Sequence, residues 1–281
     1  MHASNLRRYL EVFLEQLALQ PAVLVQVDAS EGSVPREAGA WMAVFSDKLV
    51  GTVGGGRLEF DAQAKAQIML TSGVTNGTGS GVAQTMRFAL GPSLGQCCGG
   101  VVQLRFESVS VQDVGALRLR LQPPLLPVAV FGGGHVGHAL VQVLATLPFA
   151  LTWIDSRDGV FPQGVPPDVT CEHSEPVQSA VRGLATQSRV LIMSFSHAED
   201  LDVLSACLQR QREFADLPYI GLIGSKTKWA TFRHRLEARG FTPSDLAHVT
   251  CPIGVPGIAG KKPEVIAVAV AAQLLQGAAY R

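Results

Sequence analysis

Charge is in short supply in this sequence. Only 16% of the 281 residues are charged, and 23 Lys and Arg are balanced by 23 Asp and Glu. A formal net charge of zero provides no global basic field for nucleic acid or an anionic membrane surface, so neither is an expected partner. The five cysteines include no C-x-x-C pair. An odd number without that spacing argues against both a disulfide framework and a structural zinc site. Long apolar runs are missing as well: the stretch from Val265 to Ala272 is broken by Gln273 and is too short to span a bilayer. Met1 to Gln20 carries Arg7, Arg8, Glu11 and Glu15 where a secretory leader needs an apolar segment, so the expected location is cytoplasmic. None of the tyrosines, at 9, 219 and 280, heads a Tyr-x-x-x-Lys pair of the short-chain dehydrogenase type.

Apolar content is what the chain does have, at 47% of residues. That is enough to bury a sizeable core, and the length suits two domains. So much apolar surface at zero net charge also points to a face covered by a partner subunit.

The strongest local pattern runs from Val128 to Gly137, Val-Ala-Val-Phe-Gly-Gly-Gly-His-Val-Gly. A short β-branched and aromatic strand is followed at once by Gly132, Gly134 and Gly137 in G-x-G-x-x-G register. A helical pattern opens at His135, with Val136, Leu140, Val141, Val143, Leu144 and Leu147 on its apolar face. A second buried strand from Ala150 ends at Asp155, 18 positions after Gly137. That is close to the spacing of about 20 at which an acid takes a ribose hydroxyl. Strand, glycine turn, helix and acid-tipped strand together form a Rossmann-type unit, in which a helix N-terminus offers free N–H groups to a phosphate.

Upstream of this unit the pattern is α+β. Ser4 is placed to cap a first helix with Leu6, Leu10, Phe13, Leu14 and Leu17 on one face. A strand from Ala22 to Val27 leads into a polar loop, 28–40, which is equally consistent with a functional loop and an ordinary connection. A hairpin follows, Trp41 to Phe45 and Leu49 to Val53, and then Gly54-Gly55-Gly56 opens a helix from Arg57 to about Leu70. This second glycine-to-helix junction either holds an anion near Arg57 or is a hinge in which Glu59 merely complements the helix dipole. Two strands, Ala83 to Leu90 and Val101 to Val109, flank Gly-Gln-Cys-Cys-Gly-Gly at 95–100. Adjacent cysteines do not chelate one tetrahedral ion conveniently. Cys98 is therefore either an approachable reactive or sulfur-ligating thiol, or a small apolar side chain tucked under the loop.

The proline-bearing segment 111–127 reads as a linker, dividing an N-terminal domain of residues 1–110 from a C-terminal domain of residues 128–281. The fold class is thus α/β: a doubly wound, Rossmann-like parallel sheet preceded by a smaller α+β domain. Later strands at Val169 to Glu172, Val190 to Ser194 and Tyr219 to Ile223 alternate with helices at Pro176 to Ala185, Leu201 to Arg212 and from Lys226 towards Gly240. Ligands in such sheets sit outside the carboxyl ends of the strands, where Gly132, Asp155, His197 and Gly224-Ser225-Lys226 all fall. His197 there either handles a ligand or bonds within its own loop. A long glycine loop, 248–262, precedes a last helix from Pro263 to Leu275.

In order along nearly the whole chain stand Gly-Ser-Val-Pro-Arg at 32–36, Gly-Thr-Val-Gly-Gly-Gly-Arg-Leu-Glu at 51–59 and the cysteine motif at 95–100. They are followed by Phe-Gly-Gly-Gly-His-Val-Gly at 131–137, Ile-Asp-Ser-Arg at 154–157, Ser-His at 196–197, Tyr-Ile-Gly-Leu-Ile-Gly-Ser-Lys-Thr-Lys at 219–228 and Cys-Pro-Ile-Gly at 251–254. This set resembles the xanthine dehydrogenase accessory proteins, the XdhC and CoxI group. The resemblance implies a non-enzymatic chaperone that binds the molybdenum cofactor, molybdopterin with its metal, shields it during sulfuration and inserts it into apo xanthine dehydrogenase. It implies a cysteine desulfurase and a second copy of the chain as further partners. The cofactor-binding candidates are then Arg36, Gly54, Gly55, Gly56, Glu59, Cys98, Gly99, Gly132, Gly134, His135, Gly137, Asp155, His197, Gly224, Ser225 and Lys226, with Cys98 a candidate molybdenum ligand beside Cys97. The Rossmann site is left open to the pterin phosphate, a nucleotide or nothing, and the alternative function is an NAD(P)-dependent oxidoreductase. Ser196 stands where many relatives have Thr, and Lys261-Lys262 adds positive charge ahead of the last helix.

Overall fold

A computed structural model describes residues 3–72, 83–90 and 99–277, with side chains described from residue 9 onward. Contacts divide the chain into two compact units between Pro123 and Pro124. The first begins with α1, Ala3–Leu17. Its apolar stripe buries Leu10, Phe13, Leu14 and Leu17. Ser4 lies inside this helix instead of capping it.

Five antiparallel strands follow: β1 (Ala22–Glu31), β2 (Trp41–Val44), β3 (Leu49–Gly51), β4 (Gln84–Ala89) and β5 (Val101–Val109), in the order β3-β2-β1-β5-β4. β1 is longer than the sequence pattern suggests, because Ala29, Ser30 and Glu31 pair with β5 beyond a register shift after Val27. That shift is the mark of a bulge, which lets a polar run stay in the sheet. One face of the sheet packs on α2, Gly56–Thr71, through Val23, Val25, Leu58, Ala62, Ala66, Leu104 and Phe106. The other face packs Leu24, Ala43 and Phe45 on α1 and on α3, Val114–Leu121.

This last contact corrects the linker expectation. Residues 111–121 form a 3-10 turn and α3, and Leu117 and Leu121 are buried in the first unit's core. The prolines follow the helix, so the true connection is only the few residues around Pro123 and Pro124.

The second unit is a six-stranded sheet in which every pair is parallel. Its strands are β6 (Leu126–Phe131), β7 (Phe149–Asp155), β8 (Val169–His173), β9 (Arg189–Ile192), β10 (Tyr219–Leu222) and β11 (Val249–Thr250), in the order β11-β10-β9-β6-β7-β8. The order reverses at β6, whose neighbours are β7 and β9, and this switch point opens a crevice at the carboxyl edge. On one face lie α4 (His135–Leu144) and α8 (Pro263–Gln276), packed through Leu140, Val141, Leu144, Ala267, Val270 and Leu274. On the other lie a 3-10 segment, Val177–Gly183, with α5 (His197–Phe214) and α6 (Lys226–Ala238). A short α7, Pro243–Leu246, and β11 complete the alternation and were not legible from the sequence pattern. Fully burying an aliphatic side chain contributes about 1.5–3 kcal/mol, and this sheet is lined by such residues on both faces, as a parallel sheet covered on both sides requires. Among the described residues no helix is long and apolar enough to cross a membrane.

The glycines of the β6–α4 turn differ in purpose. A Cβ on Gly137 would sit 1.9 Å from the Gly132 carbonyl oxygen, whereas one on Gly134 would meet nothing within 4 Å. Gly137→Ala should therefore lower the unfolding free energy by about 3 kcal/mol, while Gly134→Ala changes it by less than about 1 kcal/mol. Urea unfolding midpoints for the two variants provide the check.

Candidate functional site

The carboxyl edge of the parallel sheet gathers most of the polar side chains that the alternating pattern pointed to. At the end of β6 the chain turns through Gly132 at φ 121°, where a Cβ would lie 2.0 Å from the Met193 carbonyl oxygen. Only glycine can pass so close to β9. Trp153, buried in β7, donates from Nε1 to the Gly132 carbonyl at 3.0 Å and pins the turn from the other side. Gly134 then forms the N-cap of α4 with no side chain capping it. Among the described residues the N–H groups of His135, Val136 and Gly137 have no acceptor, so the positive end of the helix faces the crevice.

Asp155 does not present a free carboxylate to a ribose. Its Oδ2 accepts from Gly133 N at 2.6 Å and Arg157 Nη2 at 2.9 Å, and its Oδ1 from Arg157 N at 2.8 Å and Nε at 2.9 Å. Two oxygens offer about four lone-pair sites, and all four are taken. The side chain is 1% exposed. Burial pushes this carboxyl up, but the hydrogen bonds from the Arg157 side chain, from Arg157 N and from Gly133 N, with the Arg157 charge, outweigh it and hold the group below the usual aspartate value. The ribose-binding expectation for Asp155 is thus replaced by a structural role: the acid splints the glycine turn and orients Arg157. The guanidinium in turn lies 4.5 Å over the exposed Phe195 ring.

The neighbouring strand ends are cross-linked in the same way. Asp200, buried in the first turn of α5, accepts from Ser194 N at 2.7 Å and from Lys228 Nζ at 2.6 Å. Lys228 Nζ also donates to the Ile223 carbonyl at 2.8 Å, tying the ends of β9 and β10 together. Glu199 accepts from Ser156 Oγ at 2.7 Å and Phe195 N at 3.1 Å. Ser196 caps α5 through Glu199 N, and His197, the first helical residue, is exposed with its ring edge-on to Phe232 at 6.2 Å. Gly224 lies against the Lys228 side chain, Ser225 caps α6, and Lys226 is exposed. Arg157, Glu199, Asp200 and Lys228 were not among the sequence candidates. The available signal was positional, since each lies within four residues of one that was.

In the first unit three motifs far apart in sequence converge. The Gly100 N–H donates to the Ser33 carbonyl at 3.1 Å, and a Cβ on Gly100 would lie 2.5 Å from the Glu31 carbonyl oxygen. Gly54, at φ 135°, packs on Pro35 and Arg36, where a Cβ would come within 2.6 Å of Pro35 Cγ and 3.6 Å of Arg36 Cγ. Arg36 is half-buried and has no hydrogen-bond or ion-pair partner among the described residues. The start of α2, by contrast, is filled from within. Glu59 Oε2 accepts from Val53 N and Gly55 N, both at 3.1 Å, and from the Thr52 hydroxyl. Of the two readings of Gly54, Gly55 and Gly56, the internal carboxylate at the dipole prevails over an empty anion cradle. Arg57 points away, paired with Asp61 at 2.9 Å.

Gly99 is exposed beside this convergence. Cys97 and Cys98 lie outside the described residues, so the candidate molybdenum ligand has no geometry. Among the described residues no cluster of His, Cys, Asp and Glu could hold a metal ion. Of the thiols described, Cys207 is buried in the second core, where burial pushes it up to about 12.

Comparison with known families identifies the family. The family model described as the XdhC Rossmann domain matches residues 128–274, and that described as the XdhC and CoxI family matches residues 17–78. The chain belongs to the XdhC family. This XdhC chain is 26% identical over 272 residues to YqeB of Escherichia coli K12, itself named as uncharacterized, covering 95% of this chain and 46% of that protein. It therefore spans about half the length of that relative. A Bacillus halodurans protein whose crystal structure is named a xanthine dehydrogenase superposes with a TM-score of 0.75 at 22% identity, covering 96% of this chain and 95% of that one. The likeness extends the shared fold to both units of the XdhC chain.

The Asp155 pair generates a pH expectation. A carboxyl held below its unfolded value of about 3.9 stabilises the folded state above that pH, and the contribution is lost as pH falls through the lowered value. Asp155→Asn should cost about 2 kcal/mol at pH 7 and progressively less below pH 4, measured by urea unfolding across pH 2.5 to 7.

Proposed function

We propose that this XdhC-family chain is an accessory protein of xanthine dehydrogenase maturation. It binds the molybdenum cofactor, shields it while its sulfido ligand is installed, and inserts it into the apo enzyme. The observation that carries this reading is the open start of α4: unspent N–H groups beside Gly134, where a backbone can approach a phosphate, within a family-matched Rossmann unit. The cofactor ends in a phosphate monoester, and a helix N-terminus approached over glycine is a site for such a group. When bound, the cofactor supplies the molybdenum–dithiolene centre that the client enzyme uses.

The chain's own part is to hold and to release. His135 and Val136 N–H receive the phosphate, and exposed Lys226 and His197 lie along the same carboxyl edge. In the first unit, Arg36, without a hydrogen-bond or ion-pair partner among the described residues, and exposed Gly99 offer a second candidate contact for an anion. Cys98 is the proposed sulfur contact to molybdenum, a soft ligand for a labile centre. The cysteine desulfurase, the apo enzyme's molybdenum subunit and a second copy of the chain are the proposed partners, and the chain itself performs no catalytic step. The oxidoreductase alternative is weakened by Asp155, whose oxygens are already filled by Arg157 and Gly133.

The test is incubation with freshly released molybdenum cofactor, gel filtration, and assay of bound molybdenum and pterin. Stoichiometric co-elution is expected, with a loss of at least tenfold for Gly134→Leu, whose side chain would stand in the approach path, and for Cys98→Ala. Failure of the wild-type protein to retain either molybdenum or pterin would overturn the proposal.

A further inference from the structure

The antiparallel sheet of the first unit ends on two unequal edges. β3 is three residues long, whereas β4 at the other edge runs for six, Gln84–Ala89, and contains no proline. Sheets are guarded at their edges by short strands, prolines and charges, and a longer edge strand is a template for another chain. Every residue of β4 except Phe88 is exposed.

The ladder with β5 decides which backbone groups of β4 face outward. The Leu90 N–H donates to the Gly100 carbonyl at 2.8 Å, continuing the β4–β5 register by one pair. Antiparallel pairs alternate between hydrogen-bonded and non-hydrogen-bonded. Phe88, Met86 and Gln84 therefore bond to β5, and the N–H and C=O groups of Thr85, Arg87 and Ala89 point away from it. These groups have no backbone partner among the described residues.

The side chains of Thr85 and Arg87 share a face with their cross-strand partners, Arg105 and Gln103. Positive charge on that face is unspent. Arg87 has no hydrogen-bond or ion-pair partner among the described residues, and Arg105 keeps a buried Nε unbonded and comes no nearer than 3.6 Å to Glu107. Both Glu107 oxygens are taken by Arg120, at 2.7 and 3.2 Å. A further acid on this face, Glu31, is paired to Val101 from β1, on the far side of β5. The stretches flanking β4, 73–82 and 91–98, contain no acidic residue. On the opposite face of β4, Met86 is exposed.

We propose that β4 takes up an extended segment of a partner protein as a sixth, antiparallel strand, with acidic residues opposite Thr85 and Arg87 and an apolar residue between them beside Met86. Main-chain bonds to Thr85, Arg87 and Ala89 hold the strand, and its alternate side chains select it. An acid opposite Arg87 pairs with it directly across the strands. One opposite Thr85 stands two strands from Arg105 with only that short side chain between. A second copy of β4 is a poor occupant, because a strand with one arginine and no acid brings only like charge to Arg87 and Arg105. This surface is independent of the cofactor reading.

The probes are fluorescein-labelled, end-blocked octapeptides alternating Glu with Val, the same peptide N-methylated at each Glu, and a peptide alternating Lys with Val. Titrated by fluorescence anisotropy against the full chain, the Glu peptide should bind at least tenfold more tightly than either of the others. Arg87→Glu should move the preference at least tenfold towards the Lys peptide. Thr85→Pro, which removes only an outward N–H, should weaken the Glu peptide at least tenfold with the protein still folded. Hydrogen exchange at the Thr85, Arg87 and Ala89 amides should slow at least tenfold in the complex. Equal binding of the N-methylated peptide, an unchanged preference in Arg87→Glu or unprotected amides would each overturn the proposal. A dimer of the free protein that Thr85→Pro dissolves would also overturn it, by giving the edge to a second copy.

Discussion

The approach of α4 to the end of β6 is the contact on which the second unit depends. At Gly137 and Gly132 the helix and strand come within a distance that any side chain would forbid. The resulting turn is clamped on three sides, by the Met193 backbone, by Trp153 Nε1 and by the Asp155 carboxylate. Because the turn is fixed there, the N-terminus of α4 opens into the crevice between β6 and β9. A looser turn would let α4 drift off its core partners Trp153 and Leu191, and the anion-facing end would lose its aim.

A second theme is that acids inside the protein occupy positions where a simple motif reading would put a ligand. Glu59 fills the N–H groups ahead of α2, and Asp155 fills Gly133 N and the donors of Arg157. Two glycine-rich junctions that look alike in sequence thus differ in chemistry. One is satisfied from within and stiffens the first unit, and the other keeps its first helical N–H groups unspent among the described residues. The difference turns on one side chain, since α2 has Glu59 four residues after Gly55 and α4 has His138 at the corresponding place after Gly134.

Much of the fold was legible. Apolar periodicity marked α1, α2 and α4, and short β-branched runs marked β5, β6, β7 and β10, because these elements bury one regular face or two. The misses have local causes. The run after β5 carries prolines and so reads as a linker, yet Leu117 and Leu121 find a core built from α1 and β2. β11 is only two residues long and gains its identity by pairing with β10, which no periodicity within Val249-Thr250 could announce. Of the candidate site, the glycines and the strand-end residues were placed correctly at the carboxyl edge, whereas Arg157, Glu199, Asp200 and Lys228 emerged only with their partners in view.

By itself the sequence determined the α/β class, the glycine turn with its helix, and membership of the XdhC family, because spacing and residue type along the chain decide local backbone conformation. Tertiary structure alone decided which polar groups are spent and which remain. Asp155 became a splint and Glu59 a cap. The physical reason is that hydrogen bonds and ion pairs are closed by neighbours in space, and whether the partner is two residues away, as Arg157 is from Asp155, or 22, as Gly133 is, depends on how the backbone is folded there.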